Sequence, residues 1–83
     1  MRFICDEQLG RLAKWLRIQG FDTLFQCPIS DKELIQKAQS ENRVILTRDR
    51  QLPAKTLWKV VVIETAQYGD QLKELKKKLK LHR

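Results

Sequence analysis

The chain is poor in the residues that build zinc sites and disulfide frameworks. Its 83 residues include one histidine and two cysteines, Cys5 and Cys27, which lack a metal-binding spacing. These shortages argue against a zinc finger and against a small secreted scaffold that depends on disulfides. We therefore expect both cysteines to be reduced, structural thiols.

Long apolar runs are also missing. No stretch approaches the ~20 apolar residues that a membrane-spanning helix needs, and the first residues lack the core of a signal peptide. We therefore expect a cytoplasmic protein without a membrane partner. The hydrophobic content of 42% supports one small folded domain over residues 1–83, without repeats or linkers.

Acidic residues are outnumbered, and the positive charge is unevenly distributed. Seventeen Lys and Arg against ten Asp and Glu give a net charge of +7. Residues 71–83 contain six basic residues and one acidic residue, a net charge of +5. A lysine-rich helix of this kind is typical of proteins that bind a polyanion. A solvated helix face with surplus lysine is an equally good interpretation of this segment taken alone.

Hydrophobic periodicity predicts four strands that alternate with helices. Strands are predicted over residues 2–5, 21–25, 43–47 and 58–63, and helices over residues 8–19, 30–41 and from about 67–70 to the end. This alternation predicts an α/β domain with a parallel sheet and helices on both faces. Right-handed crossovers with a central first strand give the strand order 2-1-3-4. The carboxyl ends of strands 1 and 3 then meet at a topological switch point.

Acidic side chains stand where this sheet would bind a ligand. Asp6 follows the first strand, and Asp49 follows the third in the sequence R-V-I-L-T-R-D-R. Asp31 opens the second helix, and Glu64, the weakest candidate, follows the fourth strand. Two carboxylates ~5 Å apart repel by roughly 3 kcal/mol at an effective dielectric near 20, so a cluster needs protonation, an arginine or a metal. Oxygen ligands without imidazole or thiolate favour Mg²⁺ or Mn²⁺.

The same acidic residues have structural explanations. Asp49 could pair with Arg48 or Arg50, or cap the next helix. Asp31 could simply complement the dipole of the second helix. On these residues alone, a metal site and a set of ion pairs both remain open.

Other conspicuous residues are expected to be structural. Ser30 and Glu33 match a capping box at the start of the second helix. Trp15 and Trp58 could stack on bases, but packing against the sheet is the stronger expectation for both.

Several ordered motifs resemble the Mut-seven C-terminal RNase family of PIN-like nucleases. They lie in residues 6–23, with L-G-R-L-A-K-W-L-R, in residues 30–34, S-D-K-E-L, and in residues 43–50. The resemblance covers about residues 2–65 and implies a PIN-like three-layer α/β fold and an endoribonuclease that uses Mg²⁺ or Mn²⁺. By motif match, the catalytic and metal-binding residues would be Asp6, Asp31 and Asp49. The basic residues that would bind the substrate are Arg11, Lys14, Arg48 and Arg50.

Three functions are compatible with these features. The first is hydrolysis of RNA phosphodiesters by a metal held in the acidic cluster. The second is a non-catalytic nucleic-acid-binding module whose acids form salt bridges. The third is a toxin-like subunit that an inhibitory partner protein silences. The zinc ribbon of many family members is absent from these residues, and the short chain leaves a homodimer open.

Overall fold

A computed structural model describes residues 1–79, apart from the side chain of Tyr68, and contains a four-stranded parallel sheet. The strands are β1 (Arg2–Cys5), β2 (Asp22–Phe25), β3 (Val44–Thr47) and β4 (Val60–Val62), and the helices are α1 (Gly10–Ile18), α2 (Asp31–Glu41) and α3 (Tyr68–Leu79). The strand order is β2-β1-β3-β4. The α/β class and the order 2-1-3-4 are therefore confirmed.

The sheet separates two apolar clusters because successive side chains of a strand point to opposite faces. Phe3 and Cys5 pack on one face with the leucines of α1 and with Leu75 of α3. Ile4 and Ile45 pack on the other face with side chains of α2. The helices therefore cover both faces, as predicted.

The helix ends follow local sequence signals. At the start of α2, the Ser30 hydroxyl accepts from the Glu33 amide at 3.2 Å and donates to the Glu33 carboxylate at 3.0 Å. This contact confirms the structural role predicted for Glu33. Asn42 ends α2 with φ 54°, and Gly20 follows α1 with φ 94°. Both positions are left-handed, a conformation that Gly and Asn tolerate best.

Helix α1 begins two residues later than predicted. Residues Glu7–Leu9 form a 3₁₀ turn, and the Asp6 carboxylate caps it by accepting from the Gln8 amide at 3.0 Å. Gly10 starts α1 against the ring of Phe25, and a Cβ on Gly10 would lie 3.3 Å from that ring. Glycine at this position therefore lets the Phe25 ring pack closely against the start of α1.

Strand β4 is shorter and less buried than predicted. Its three valines are only partly buried because the strand order places β4 at the edge of the sheet. Trp58 lies just before this strand, packs against the core and donates its indole N–H to the Arg43 carbonyl at 2.7 Å. By contrast, Trp15 is 41% exposed on α1 instead of being enclosed against the sheet.

Lysine-rich helix α3 is described as far as Leu79, and residues 80–83 of the predicted segment lie outside the described part of the chain. Leu75 is buried, and Leu72 and Leu79 pack against the same core cluster. Among the described residues, no helix is long and apolar enough to cross a membrane. Cys5 and Cys27 are free thiols.

The carboxylate of Glu74 fastens α3 to the segment that follows β4. It accepts from the amide of Glu64 at 3.0 Å, from the amide of Thr65 at 3.1 Å and from the Lys78 ammonium at 2.7 Å. Burial raises the pKa of Glu74, but these donors outweigh burial and lower the pKa to about 2. A carboxyl with a lowered folded-state pKa stabilises the protein above its unfolded-state pKa, and this stabilisation is lost as the pH falls through the folded-state value.

We predict that Glu74→Gln destabilises the protein by about 1–2 kcal/mol at pH 7, because a neutral amide accepts these bonds more weakly. The difference from wild type should shrink below pH ~4.5 and be mostly lost near pH 2, where about half of wild-type Glu74 is itself protonated. Urea unfolding at several pH values measures this difference. Asp70→Asn, which changes an exposed acid of α3, is the matched control; a Glu74→Gln deficit that stays constant down to pH 2 would contradict the assignment.

Candidate functional site

The carboxyl ends of β1 and β3 are joined through Asp6. Its amide donates to the Leu46 carbonyl at 3.0 Å. One carboxylate oxygen of Asp6 accepts from the Thr47 hydroxyl and from the Arg48 amide, the latter at 3.1 Å. The predicted neighbourhood of the two strand ends is therefore present, and the Asp6 side chain is held by donors from the end of β3.

The three aspartates predicted for the site line one small cleft at this edge of the sheet. The cleft has a volume of about 180 Å³, and Asp6, Asp31 and Asp49 contribute to its wall together with Thr47. The three carboxylates come from the end of β1, the start of α2 and the loop after β3. Parallel topology thus brings together residues that are far apart in the sequence.

Each of the three carboxylates also binds a protein donor. Oδ1 of Asp49 accepts from the Gln51 amide at 2.8 Å, and the Asp49 amide donates to the Thr47 hydroxyl at 3.0 Å. Oδ2 of Asp31 accepts from the Lys55 ammonium at 2.9 Å. Within residues 1–79, no three acidic, histidine or cysteine side chains are grouped as a ready-made metal site.

Lys55 places a positive charge beside this cleft. The hydrogen bond that Lys55 donates to Asp31, together with the negative charges of Asp31 and Asp49, raises the pKa of Lys55. Both partners of the ion pair are about half exposed, with 51% of each side chain accessible. Exposed pairs of this kind contribute little stability and exchange readily with solvent. The Lys55 ammonium is therefore a replaceable counterion of the carboxylates.

The four predicted basic residues do not line the acidic cleft. Arg48 donates to the Glu64 carbonyl at 3.2 Å, and Arg50 lies 3.8 Å from the Glu64 carboxylate. Arg11 lines a separate cleft, and Lys14 lies exposed on α1. Glu64 is therefore a partner of these arginines and does not contribute to the wall of the acidic cleft.

The comparison with known families decides what this chain is related to. Residues 1–83 match the family described as Mut7-C RNAse domain. The chain belongs to the Mut7-C RNAse domain family. The family resemblance carried by the sequence motifs is thereby confirmed, and the family name points to a nuclease. No curated protein and no solved structure matched the chain.

The donors of this Mut7-C domain fit a hard divalent cation. The carboxylates of Asp6, Asp31 and Asp49 offer oxygen only, which Mg²⁺ and Mn²⁺ prefer. Oδ1 of Asp31 and Oδ2 of Asp49 accept no hydrogen bond within the described residues. These two oxygens, and a remaining lone pair on the Asp6 carboxylate, could therefore contact an ion without any loss of backbone contacts.

Two residues at the candidate site, Thr47 and Lys55, were not predicted from the sequence. Thr47 is 1% exposed and uses its hydroxyl to connect Asp6 with the Asp49 amide. A hydroxyl residue at the end of an apolar strand, two residues before an acid, is a usable signal for such a role. The pairing of Lys55 with Asp31 spans 24 residues of sequence and leaves no local signal.

We predict that Lys55→Met strengthens Mn²⁺ binding, up to about fivefold, because it removes the cation that competes for Asp31. Calorimetric titration of Mn²⁺ into wild type and variant measures this change. Lys32→Met, which removes an exposed lysine of the same surface region outside the cleft wall, should leave the affinity unchanged. Equal or weaker binding by Lys55→Met would contradict competition between the lysine and the ion.

Proposed function

We propose that this Mut7-C RNAse domain is an endoribonuclease that uses Mg²⁺ or Mn²⁺ held by Asp6, Asp31 and Asp49. One observation carries this proposal: three carboxylates from separate segments line a single cleft at the switch point of a parallel sheet. When bound, such an ion lowers the pKa of a coordinated water and neutralises charge on a phosphodiester. The residues of the chain supply the binding, the orientation and the surrounding charge.

The three aspartates are suited to different tasks. Asp6 is fixed by donors on both of its oxygens, so it is the rigid member that sets the position of the ion. Asp49 keeps one oxygen without a hydrogen bond in the described residues and is the strongest candidate for a direct contact with the ion. Asp31 can offer Oδ1, while its Oδ2 accepts from Lys55, so an ion bound there would displace that ammonium by charge repulsion. The released ammonium would then be available to the phosphate.

Positive charge on the helices supports RNA as the substrate. Lys73 and Lys77 are exposed on α3, and Arg11 and Lys14 are exposed on α1. These two helices pack against each other on the same face of the sheet. Lysine and arginine side chains attract the phosphate backbone without sequence preference. RNA would therefore reach the acidic cleft from a basic surface, while the acids themselves would require a cation before they could approach a phosphate.

The sharpest mutation is Asp49→Asn. An asparagine carbonyl can still accept from the Gln51 amide, so we predict retained stability and RNA affinity. Loss of one charged contact to the ion should reduce cleavage about 100-fold or more. Asp6→Asn is a less selective variant, because its NH₂ group would face the Thr47 hydroxyl or a backbone amide and weaken the fold.

The measurement is cleavage of unstructured RNA in Mn²⁺, with and without chelator, for wild type, Asp49→Asn and the surface control Asp70→Asn. Wild type and Asp70→Asn should cleave, and chelator should abolish both activities. Cleavage by Asp49→Asn at the wild-type rate, or cleavage that survives the chelator, would refute the nuclease site.

A second function is favoured by the ion pair between Lys55 and Asp31. If this pair persists in solution and no ion displaces it, the cleft is a neutralised structural site and the domain is a non-catalytic RNA-binding module. The same assay separates the two proposals. A binding module would bind RNA equally well as wild type and as Asp49→Asn, and neither protein would cleave it.

A further inference from the structure

A second and larger cleft lies beside the acidic one, and no role has been assigned to it. Its volume is about 860 Å³, within the range of pockets that hold ligands the size of a nucleotide. Gln8, Gly10 and Arg11 form one wall, at the start of α1. The opposite wall comes from the loop that precedes α3 and from its first turn, with Gln67 and Gly69.

The two clefts adjoin at Gln8. This residue lines both of them, and its amide donates to the Asp6 carboxylate at 3.0 Å. A chain that places one phosphate in the acidic cleft would therefore extend past Gln8 into the larger cleft. The connection runs through a residue that is bonded directly to a proposed ligand of the metal.

The chemistry of the two clefts is complementary. The acidic cleft is lined by the three aspartates and Glu7, whereas the described residues that line the larger cleft include no acid, one arginine and three glutamines. Gln71 is 4% exposed and donates to the carbonyls of Thr65 and Ala66, so it shapes the wall. Gln8 and Gln67 are exposed. Their amides can donate to and accept from the ribose and base edges, while the Arg11 guanidinium suits a phosphate.

From these observations we infer that the larger cleft binds the nucleotide next to the scissile phosphate of single-stranded RNA. This inference rests on the proposed function, because that function defines which phosphate lies in the acidic cleft. It adds a binding site whose described polar contacts are glutamine amides and one guanidinium. The cleft would therefore hold RNA independently of the metal.

Gly69 offers a way to fill this cleft without disturbing the fold. A Cβ on Gly69 meets no atom within 4 Å, whereas a Cβ on Gly10 would lie 3.3 Å from the Phe25 ring. Gly69 is the second residue of α3, so its replacement also removes a residue of low helix propensity from the first turn. Gly69→Leu should therefore fold normally and occupy space in the cleft.

The test is binding of a labelled single-stranded RNA of about six nucleotides in chelator, so that no metal contributes. Gly69→Leu should bind about fivefold or more weakly, as expected for the loss of one or two hydrogen bonds. Arg11→Gln should also bind more weakly and reduce the salt dependence by about one phosphate contact. Gln39→Leu adds a leucine to exposed α2, on the other face of the sheet, and should bind like wild type.

The outcomes separate this inference from the proposed function. If wild type binds the RNA and a stably folded Gly69→Leu binds it within twofold, the larger cleft is not the subsite and the nuclease proposal stands. If wild type binds no RNA in chelator, the larger cleft does not hold RNA independently of the metal and this inference fails, while cleavage in Mn²⁺ still decides the nuclease proposal. Melting temperatures establish that each variant is folded. If the leucine variant is unstable, Gly69→Gln places a second, more polar side chain in the cleft. The affinity for Mn²⁺ should be unchanged in both Gly69 variants.

Discussion

The structure at the carboxyl ends of β1 and β3 depends on the hydrogen bonds that the Asp6 carboxylate accepts. It accepts from the Thr47 hydroxyl and the Arg48 amide at the end of β3, and from the Gln8 amide in the turn that leads into α1. One side chain thus ties together the end of β1, the end of β3 and the start of the first helix. The bonds from Thr47 and Arg48 are partly buried, so leaving these two donors unpaired would cost free energy. The same contact that completes the fold therefore also fixes the position of the acidic cleft.

The opposite end of the sheet is fastened by a buried positive charge. The Arg43 guanidinium donates to the Phe3 carbonyl at 3.0 Å and to the carboxylates of Asp22 and Glu41, at 2.9 and 2.7 Å. Hydrogen bonding to Arg43 lowers the pKa of both acids. At this end both acids have an arginine partner, whereas at the other end four acids, Asp6, Glu7, Asp31 and Asp49, line one cleft, and among the described residues Asp31 alone forms an ion pair, with Lys55. The excess of carboxylates over cations at the carboxyl ends of the strands distinguishes the candidate site from the structural ion pairs around Arg43.

Much of this arrangement is predictable from local patterns. Short apolar runs that alternate with helical stripes require a parallel sheet, and strand order then brings Asp6 close to the residues around Asp49. The exposure of Trp15 also has a local cause, because the stripe of leucines on α1 already fills the contact with the sheet and Trp15 lies beside it. The short β4 reflects its edge position. Tertiary pairings were not predictable, since the partners of Lys55 and Arg48 depend on how distant loops meet.

The central claim is that the cleft formed by Asp6, Asp31 and Asp49 holds a divalent cation. Paramagnetic broadening by Mn²⁺ tests it directly, because signals of amides close to the ion disappear first in a two-dimensional amide spectrum. At low Mn²⁺ concentration, we expect the amide signals around the three aspartates, including those of Gln8 and Arg48, to disappear selectively. Amide signals of acids at the opposite end of the strands, such as Asp22, should be retained. Broadening spread evenly over the exposed acids, or no selective broadening around the cleft, would contradict the metal site.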